Sequence, residues 1–326
     1  MSDVDRERLQ LFSLQLFGKL EGAMTSAMVH LGDRLGLYRC LADARAPLSS
    51  LELADAAGLH ERWVREWLFN QCAAGLVDHE ASDSVDRFSM SPEAVAVLAS
   101  PDHPAFGVGM FHRLPQTMAA MDAMPESFRT GVGHDYDSHG PEAAVGIERS
   151  FEPWNRANLV DRVLPMMDGV TDRLERGATV IVVGCGAGGA ALLLAEAFPA
   201  STVRGYDISE HALARAEERR AAAGLTNVEF LDPRLDPIPE DRSVDLVLTF
   251  DCLHDMTDPA AIVHRLRRAV ADDGHWLLVD IRAADSLAGN IAANPVAPLL
   301  YGVSVLSCMS SALSEDGGAG LGTLGL

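Results

Sequence analysis

Residues 179–198 read TVIVVGCGAGGAALLLAEAF, and no other stretch restricts the fold of this chain so strongly. Thr179 to Val183 is an unbroken β-branched run, the composition of a strand buried on both faces of a parallel sheet. Gly184, Gly186, Gly188 and Gly189 then supply the conformational freedom for a sharp turn, and the apolar run Ala190 to Phe198 reads as a helix. A strand that turns through glycines into a helix points backbone N–H groups at one spot, where a ligand can approach the main chain closely. Downstream the pattern repeats, with strands expected at Ser201–Tyr206, Val228–Leu231, Ser243–Phe250 and His275–Ile281. Helices are expected between them at Glu210–Ala223, closed by Gly224, and at Pro259–Val270. The alternation predicts an α/β class domain with a doubly wound parallel sheet.

The turn by itself leaves the ligand open. Gly184, Gly186 and Gly189 satisfy the G-x-G-x-x-G of dinucleotide binders, while Gly184, Gly186 and Gly188 satisfy the G-x-G-x-G of methyltransferases. Asp207 closes the second strand in VRGYDIS, where a carboxylate accepts both hydroxyls of a ribose; that feature serves either cofactor.

Residues 1–100 read as helical. Leu9, Phe12, Leu16 and Leu20, then Met24, Ala27 and Leu31, recur at helical spacing. A short helix at Leu51–Ala57 ending at Gly58 and a longer one at about 61–74 precede two extended pieces, Leu76–His79 and Arg87–Met90. Helix, turn, helix and a two-stranded wing is the winged-helix pattern. The second helix is electrically neutral, with Glu61 and Glu66 set against Arg62 and Arg65, and residues 1–100 hold 15 acids against 9 bases. A major-groove reader needs a basic face, so dimerisation through the N-terminal helices is favoured over nucleic-acid binding.

The whole chain bears a formal net charge of −21 over 326 residues, with Lys19 its only lysine, which also disfavours an anionic membrane surface. Cys40, Cys72, Cys185, Cys252 and Cys308 are scattered and odd in number, as in a reducing compartment, and MSDVDRERLQ has no apolar signal core. The reading is cytoplasmic, without metal. Of two uncharged runs, 177–195 contains the glycine turn and 286–314 is broken by Asn290, Asn294, Pro295 and Pro298, so neither reads as a membrane span. Residues 101–176 form a connector ending in a helix expected at Pro153–Arg176, and 177–326 form the ligand-binding domain, with a lid insertion at about 283–315.

The segment DRSVDLVLTFDCLHDMTDPAAIVHRLRRAVADDGHWLLVDI, from Asp241, settles the cofactor. With the glycine turn, its strand ending in Phe250-Asp251, its D-D-G turn at Asp272–Gly274 and its strand ending in Asp280, the chain resembles class I S-adenosylmethionine-dependent methyltransferases. The winged-helix front and the pair His254-Asp255 are similar to small-molecule O-methyltransferases. That resemblance implies a Rossmann-like domain and a homodimer, with Gly184, Gly186 and Gly188 cradling S-adenosylmethionine and Asp207 on its ribose. It further implies that Ile208 packs on adenine, Asp232 reaches the adenine amine with Asp236 in reserve, Phe250 and Asp251 border the methionine portion, and His254 is the general base. Tyr136, between His134 and His139 in a polar loop, is a further cofactor contact.

Three features depart from the pattern. Val182 stands where an acid usually precedes the first glycine, VEFLDPRLDPIP is irregular, and GLGTLGL arrives before the family's last helix and two strands. A domain lacking its last two strands would leave a sheet edge exposed, the mark of a truncated chain or an unusual end. The expected activity is methyl transfer to a hydroxyl of a small apolar or aromatic molecule. The rivals are a degenerate cofactor-binding protein, a winged-helix regulator and an NAD-dependent oxidoreductase.

Overall fold

Capping side chains set the helices of the N-terminal region. Asp5 accepts from the Arg8 N–H at 3.0 Å and starts the helix Arg6–Arg34. Ser49 and Glu52 form a reciprocal capping box on the helix Ser50–Ala57, which Gly58 ends at φ +67°. The helix Glu61–Ala73 follows, and then β1 (Asp78–Glu80) and β2 (Arg87–Ser89) pair antiparallel as a wing. Leu37, Tyr38, Leu53, Trp67, Leu68 and Phe88 form the core. Gly32 permits it, because a Cβ there would lie 2.4 Å from the Trp67 ring. This computed structural model describes residues 4–323, and the chain divides into two compact units, Met1–Leu114 and Pro115–Leu326. Phe106 and Val108, from the expected connector, are buried in the first unit's core.

In the second unit the β-branched runs form a parallel sheet. β3 (Thr179–Val183) lies between β4 (Thr202–Tyr206) and β6 (Val244–Phe250); β5 (Val228–Leu231) flanks β4 and β7 (Val270–Val279) flanks β6. Alternate residues of β3 serve two cores. Val180 and Val182 pack with Ala191 and Leu194, while Ile181 and Val183 pack with Leu266 and Ala269, so helices cover both faces. Strand order β5-β4-β3-β6-β7 reverses direction between β3 and β6, and ligands of such sheets bind beyond the carboxyl ends at that reversal.

Three expectations shift in detail. The D-D-G turn lies within β7: Val244 pairs with Val270 but Leu246 with His275, so residues 271–274 bulge from the strand. The connector helix begins at Pro141, not Pro153, because Gly140 and Pro141 form its start; it runs to Asn158 with Pro153 inside. A π turn at Leu159–Val163 then interrupts it before the helix Val170–Arg176. The insertion is helical, with Leu287–Ala293, Ala297–Val303 and Met309–Ala312 joined through a π turn at Ser304–Cys308. Among the described residues the sheet has five strands, and the two further strands of the resemblance are not among them. The last three residues of GLGTLGL lie outside the described residues. No described helix is long and apolar enough to cross a membrane.

Candidate active site

The turn after β3 is built for close approach. Gly184, Gly186 and Gly188 take φ of +66°, +54° and +80°. A Cβ on Gly184 would sit 2.5 Å from that of Cys252, and one on Gly188 2.6 Å from the Phe230 ring, so the outer glycines are closed against protein. Around Gly186 there is open space, with nothing within 4 Å of a Cβ. Its N–H donates to Asp207 Oδ2 at 2.7 Å, and the Ser209 N–H donates to Oδ1 at 2.9 Å. Burial lifts the Asp207 carboxyl above its usual range, and these two N–H donors pull it back down. Each oxygen keeps a further lone pair, so the carboxylate can still accept two hydroxyls. Beside it Ile208 exposes an apolar side chain, and the helix Gly189–Ala197 starts at the same point. A hydroxyl acceptor, an apolar plate and an open glycine in one place fit the nucleoside half of S-adenosylmethionine.

The remaining cofactor candidates divide. Asp232 lies beside this turn, but Arg234 holds its carboxylate at 2.7–3.0 Å and keeps it below the usual carboxylate range. The same guanidinium donates to the Ile208 carbonyl at 2.9 Å, so Asp232 meets the nucleoside region through Arg234; Asp236 is exposed. Tyr136 opens a short 3₁₀ turn whose Asp137 accepts from the Ser209 hydroxyl and, at 2.8 Å, from the Glu210 N–H. That contact brings the Tyr136 loop to the Asp207 turn. Val182 is buried in the sheet core, so its position contributes no polar group. Behind the glycine turn Arg219 donates to the Ala187 carbonyl at 2.8 Å and pairs with Glu152 at 2.5 Å. Arg219 escaped the sequence reading because nothing local marks it, since it acts on a residue 32 positions away; the place of Asp137 at this turn was hidden because its partner Ser209 lies 72 positions away.

Beyond β6 a buried charged cluster surrounds His254. The imidazole is 1% exposed, its Nδ1 lies 2.8 Å from Asp280 Oδ1, and its Nε2 lies 3.1 Å from Asp255 Oδ1. Burial disfavours the charged ring, yet the neighbouring Asp255 and Asp280 carboxylates and the Cys308 thiol outweigh it and push the pKa up to about 12. Asp251 follows Phe250 in the left-handed region at φ +50°, held by its N–H to the Val279 carbonyl at 2.8 Å. Asp251 Oδ1 and Asp280 Oδ2 are buried without a hydrogen-bond donor. Ligand atoms of Asp251, His254 and Asp280 lie within 4.8 Å of one another, as do those of His254, Asp255 and Cys308. Loop residues His134, Asp135, Asp137 and His139 do not form such a group among the described residues.

On the connector side, Gln116, Ala120, Met124, His134, Leu306 and Ser310 line a cavity of about 330 Å³, mostly apolar. Ser310 Oγ accepts from the His134 N–H at 2.9 Å, joining the loop to the lid segment.

Comparison with known proteins agrees with this geometry. Residues 174–312 match the methyltransferase domain family, and residues 23–100 match the Rv2258c-like winged HTH domain. The chain is 24% identical over 280 residues to the mitomycin biosynthesis 6-O-methyltransferase of Streptomyces lavendulae, covering 80% of this chain and 75% of that protein. It is 33% identical over 116 residues to a ubiquinone biosynthesis O-methyltransferase of Neisseria meningitidis serogroup C, covering 34% of this chain and 46% of that protein. Human N-acetylserotonin methyltransferase, solved in complex with S-adenosylmethionine, superposes with a TM-score of 0.64 at 18% identity, covering 94% of this chain and 88% of the other. The mitomycin 7-O-methyltransferase superposes with a TM-score of 0.65 at 20% identity over the same shares. At those identities the two structures establish the fold. The chain therefore carries a class I, Rossmann-like methyltransferase domain behind a winged helix-turn-helix domain, and is an S-adenosylmethionine-dependent methyltransferase.

Proposed function

We propose that the protein methylates a hydroxyl of a small apolar or aromatic molecule, as a homodimer in the cytoplasm, without a nucleic-acid partner. The observation that carries this reading is the Gly186–Asp207 hydrogen bond, which holds a carboxylate against an open glycine at the reversal of strand order. Bound S-adenosylmethionine supplies an electrophilic methyl on a positively charged sulfur. Asp207 accepts the two ribose hydroxyls, Gly186 leaves room for the amino-acid portion while Gly184 and Gly188 keep the turn packed on Cys252 and Phe230, and Ile208 packs on the adenine. Asp232 and Arg234 border the base, Tyr136 closes the loop side, and Phe250 and Asp251 face the reacting end.

The acceptor hydroxyl is favoured over nitrogen or carbon by the named activities of the O-methyltransferases that the chain resembles and by the buried charge cluster beyond β6. Orienting the oxygen in line with the methyl and sulfur supplies most of the advantage, since well-oriented reactants gain on the order of 7–11 kcal/mol. The apolar cavity suits a small ring. Five unpaired thiols suit a reducing compartment.

Calorimetry with S-adenosylhomocysteine tests the cofactor site. Replacing Asp207→Asn removes the charge from two hydroxyl contacts, each worth about 1.5–3 kcal/mol when charged, so affinity falls roughly tenfold to a few hundredfold. Unchanged affinity in that variant would contradict the ribose assignment. Methyl transfer to a panel of phenols and catechols, read as S-adenosylhomocysteine formed, tests the acceptor class.

A further inference from the structure

We propose that Arg219 is a positioning residue for the cofactor: it fixes the Ala187 peptide, and with it the glycine turn that receives the amino-acid portion of S-adenosylmethionine. The inference rests on the cofactor reading of the Gly186–Asp207 turn and is independent of the acceptor.

Glycines let a chain approach a ligand, and they also leave it free to move. Ala187 stands between Gly186 at φ +54° and Gly188 at φ +80°, so its peptide planes are bounded by residues with few steric barriers of their own. Three hydrogen bonds tether the rest of the turn. The Cys185 N–H donates to the Tyr206 carbonyl and the Gly188 N–H to the Cys185 carbonyl, each at 3.0 Å, and the Gly186 N–H donates to Asp207 at 2.7 Å. The Ala187 carbonyl is held from outside. Arg219 Nη1, on the helix Glu210–Ala223, donates to it at 2.8 Å.

The guanidinium is itself held in place. Glu152, on the connector helix and 9% exposed, accepts from Arg219 Nη2 at 2.5 Å and from Arg156 Nε at 2.9 Å. Glu148, one turn earlier, lies 3.6 Å from Arg219 Nε and accepts from Arg215 Nε at 2.9 Å. A Cβ built on Gly189 would lie 4.0 Å from both Arg219 Nη1 and Glu152 Oε2, so the ion pair packs against the first residue of the helix that follows the turn. Charge is costly to bury, and only paired, hydrogen-bonded geometry offsets that cost. Here the pair directs one donor at a main-chain carbonyl between two glycines. Val182 gives the strand end no polar group, so β3 supplies no substitute for this contact. A turn fixed before binding spares the ligand the cost of ordering it.

The test uses Arg219→Met, and Arg219→Met combined with Glu152→Gln. Each is measured by calorimetry with S-adenosylhomocysteine and with adenosine, by urea denaturation, and by amide exchange over residues 184–190. Arg219→Met should lose S-adenosylhomocysteine affinity on the order of tenfold to a hundredfold, the scale of one charge-assisted hydrogen bond. Adenosine, which lacks the amino-acid portion, should lose less, and amide exchange over the turn should quicken. The single variant also strands the Glu152 charge, so it should unfold at lower urea. Adding Glu152→Gln removes that charge, and stability should recover while affinity and slow exchange do not. If Arg219→Met fails to fold, the double variant is compared with the unaltered protein directly. Affinity that returns together with stability would make Arg219 a residue of the fold alone and overturn the proposal. So would equal losses for the two ligands, or undiminished affinity in Arg219→Met. If the unaltered protein binds no S-adenosylhomocysteine, the cofactor reading fails, and amide exchange alone then decides whether Arg219 fixes the turn.

Discussion

His254 carries more of the fold than its place near the reaction suggests. Removing it by His254→Ala would leave Asp255 and Asp280 buried without their counter-charge, and breaking such a cluster costs about 3–5 kcal/mol. Urea denaturation at pH 7 measures that loss. The cluster also sets how stability varies with pH. With the His254 pKa pushed up to about 12 in the folded protein from about 6.5 unfolded, its contribution should be complete below about 6.5 and be lost as pH rises toward 12. Asp251, raised to about 7 from about 3.9, likewise binds its proton more tightly in the folded protein and loses that stabilisation as pH rises to 7. The urea midpoint should therefore decline from pH 7 to pH 10 in the unaltered protein and decline much less in His254→Ala. A midpoint that rises over that range would refute the upward shift of the His254 pKa.

Elements with a strong local signal were legible in the sequence. The run Thr179–Val183 could only be a doubly buried strand, and Ser209, Glu210 and Gly224 bracket a helix whose caps are local. Element edges governed by pairing were harder to read. The bulge at 271–274 depends on which β6 residue each β7 residue meets, and nothing within ADDGH declares that register. Likewise the turn that sets Gly186 against Asp207 was readable because glycines and Asp207 fall at fixed offsets from strands. The surroundings of His254 were not, since Asp280 lies 26 positions away and only the β6–β7 register brings it close. The glycine turn offers an element-scale test. In Gly188→Ala the new methyl would meet the Phe230 ring at 2.6 Å and Ala216 at 3.1 Å, on a backbone at φ +80°. Left-handed strain costs about 1–2 kcal/mol and overpacking about 1–3 kcal/mol, so denaturation should show a loss of at least about 2 kcal/mol. Weakened S-adenosylhomocysteine binding should accompany it. Gly186→Ala, in open space, should lose binding with less loss of stability.

At the scale of the whole molecule, the helix Arg6–Arg34 is unfinished as it stands. Leu9, Phe12, Leu16, Leu20 and Met24 are each more than half exposed, and only Val29, His30 and Gly32 on that helix are buried. Residues 9–18, LQLFSLQLFG, contain no charge, so this exposed surface is apolar, which suits the proposed two-fold interface. Light scattering should give twice the chain mass at micromolar concentration. Phe12→Glu combined with Leu16→Glu should give a monomer with S-adenosylhomocysteine affinity intact, because the cradle lies in the other unit. Salt separates this reading from DNA binding. Two copies each bearing −21 repel at long range, and added salt screens that repulsion while leaving apolar contact intact, so the dimer should tighten between 50 mM and 500 mM NaCl. Binding to a phosphate backbone releases counterions and weakens over the same range. A monomer at every concentration, or an association that salt dissolves, would remove the N-terminal helices from the role of dimer interface.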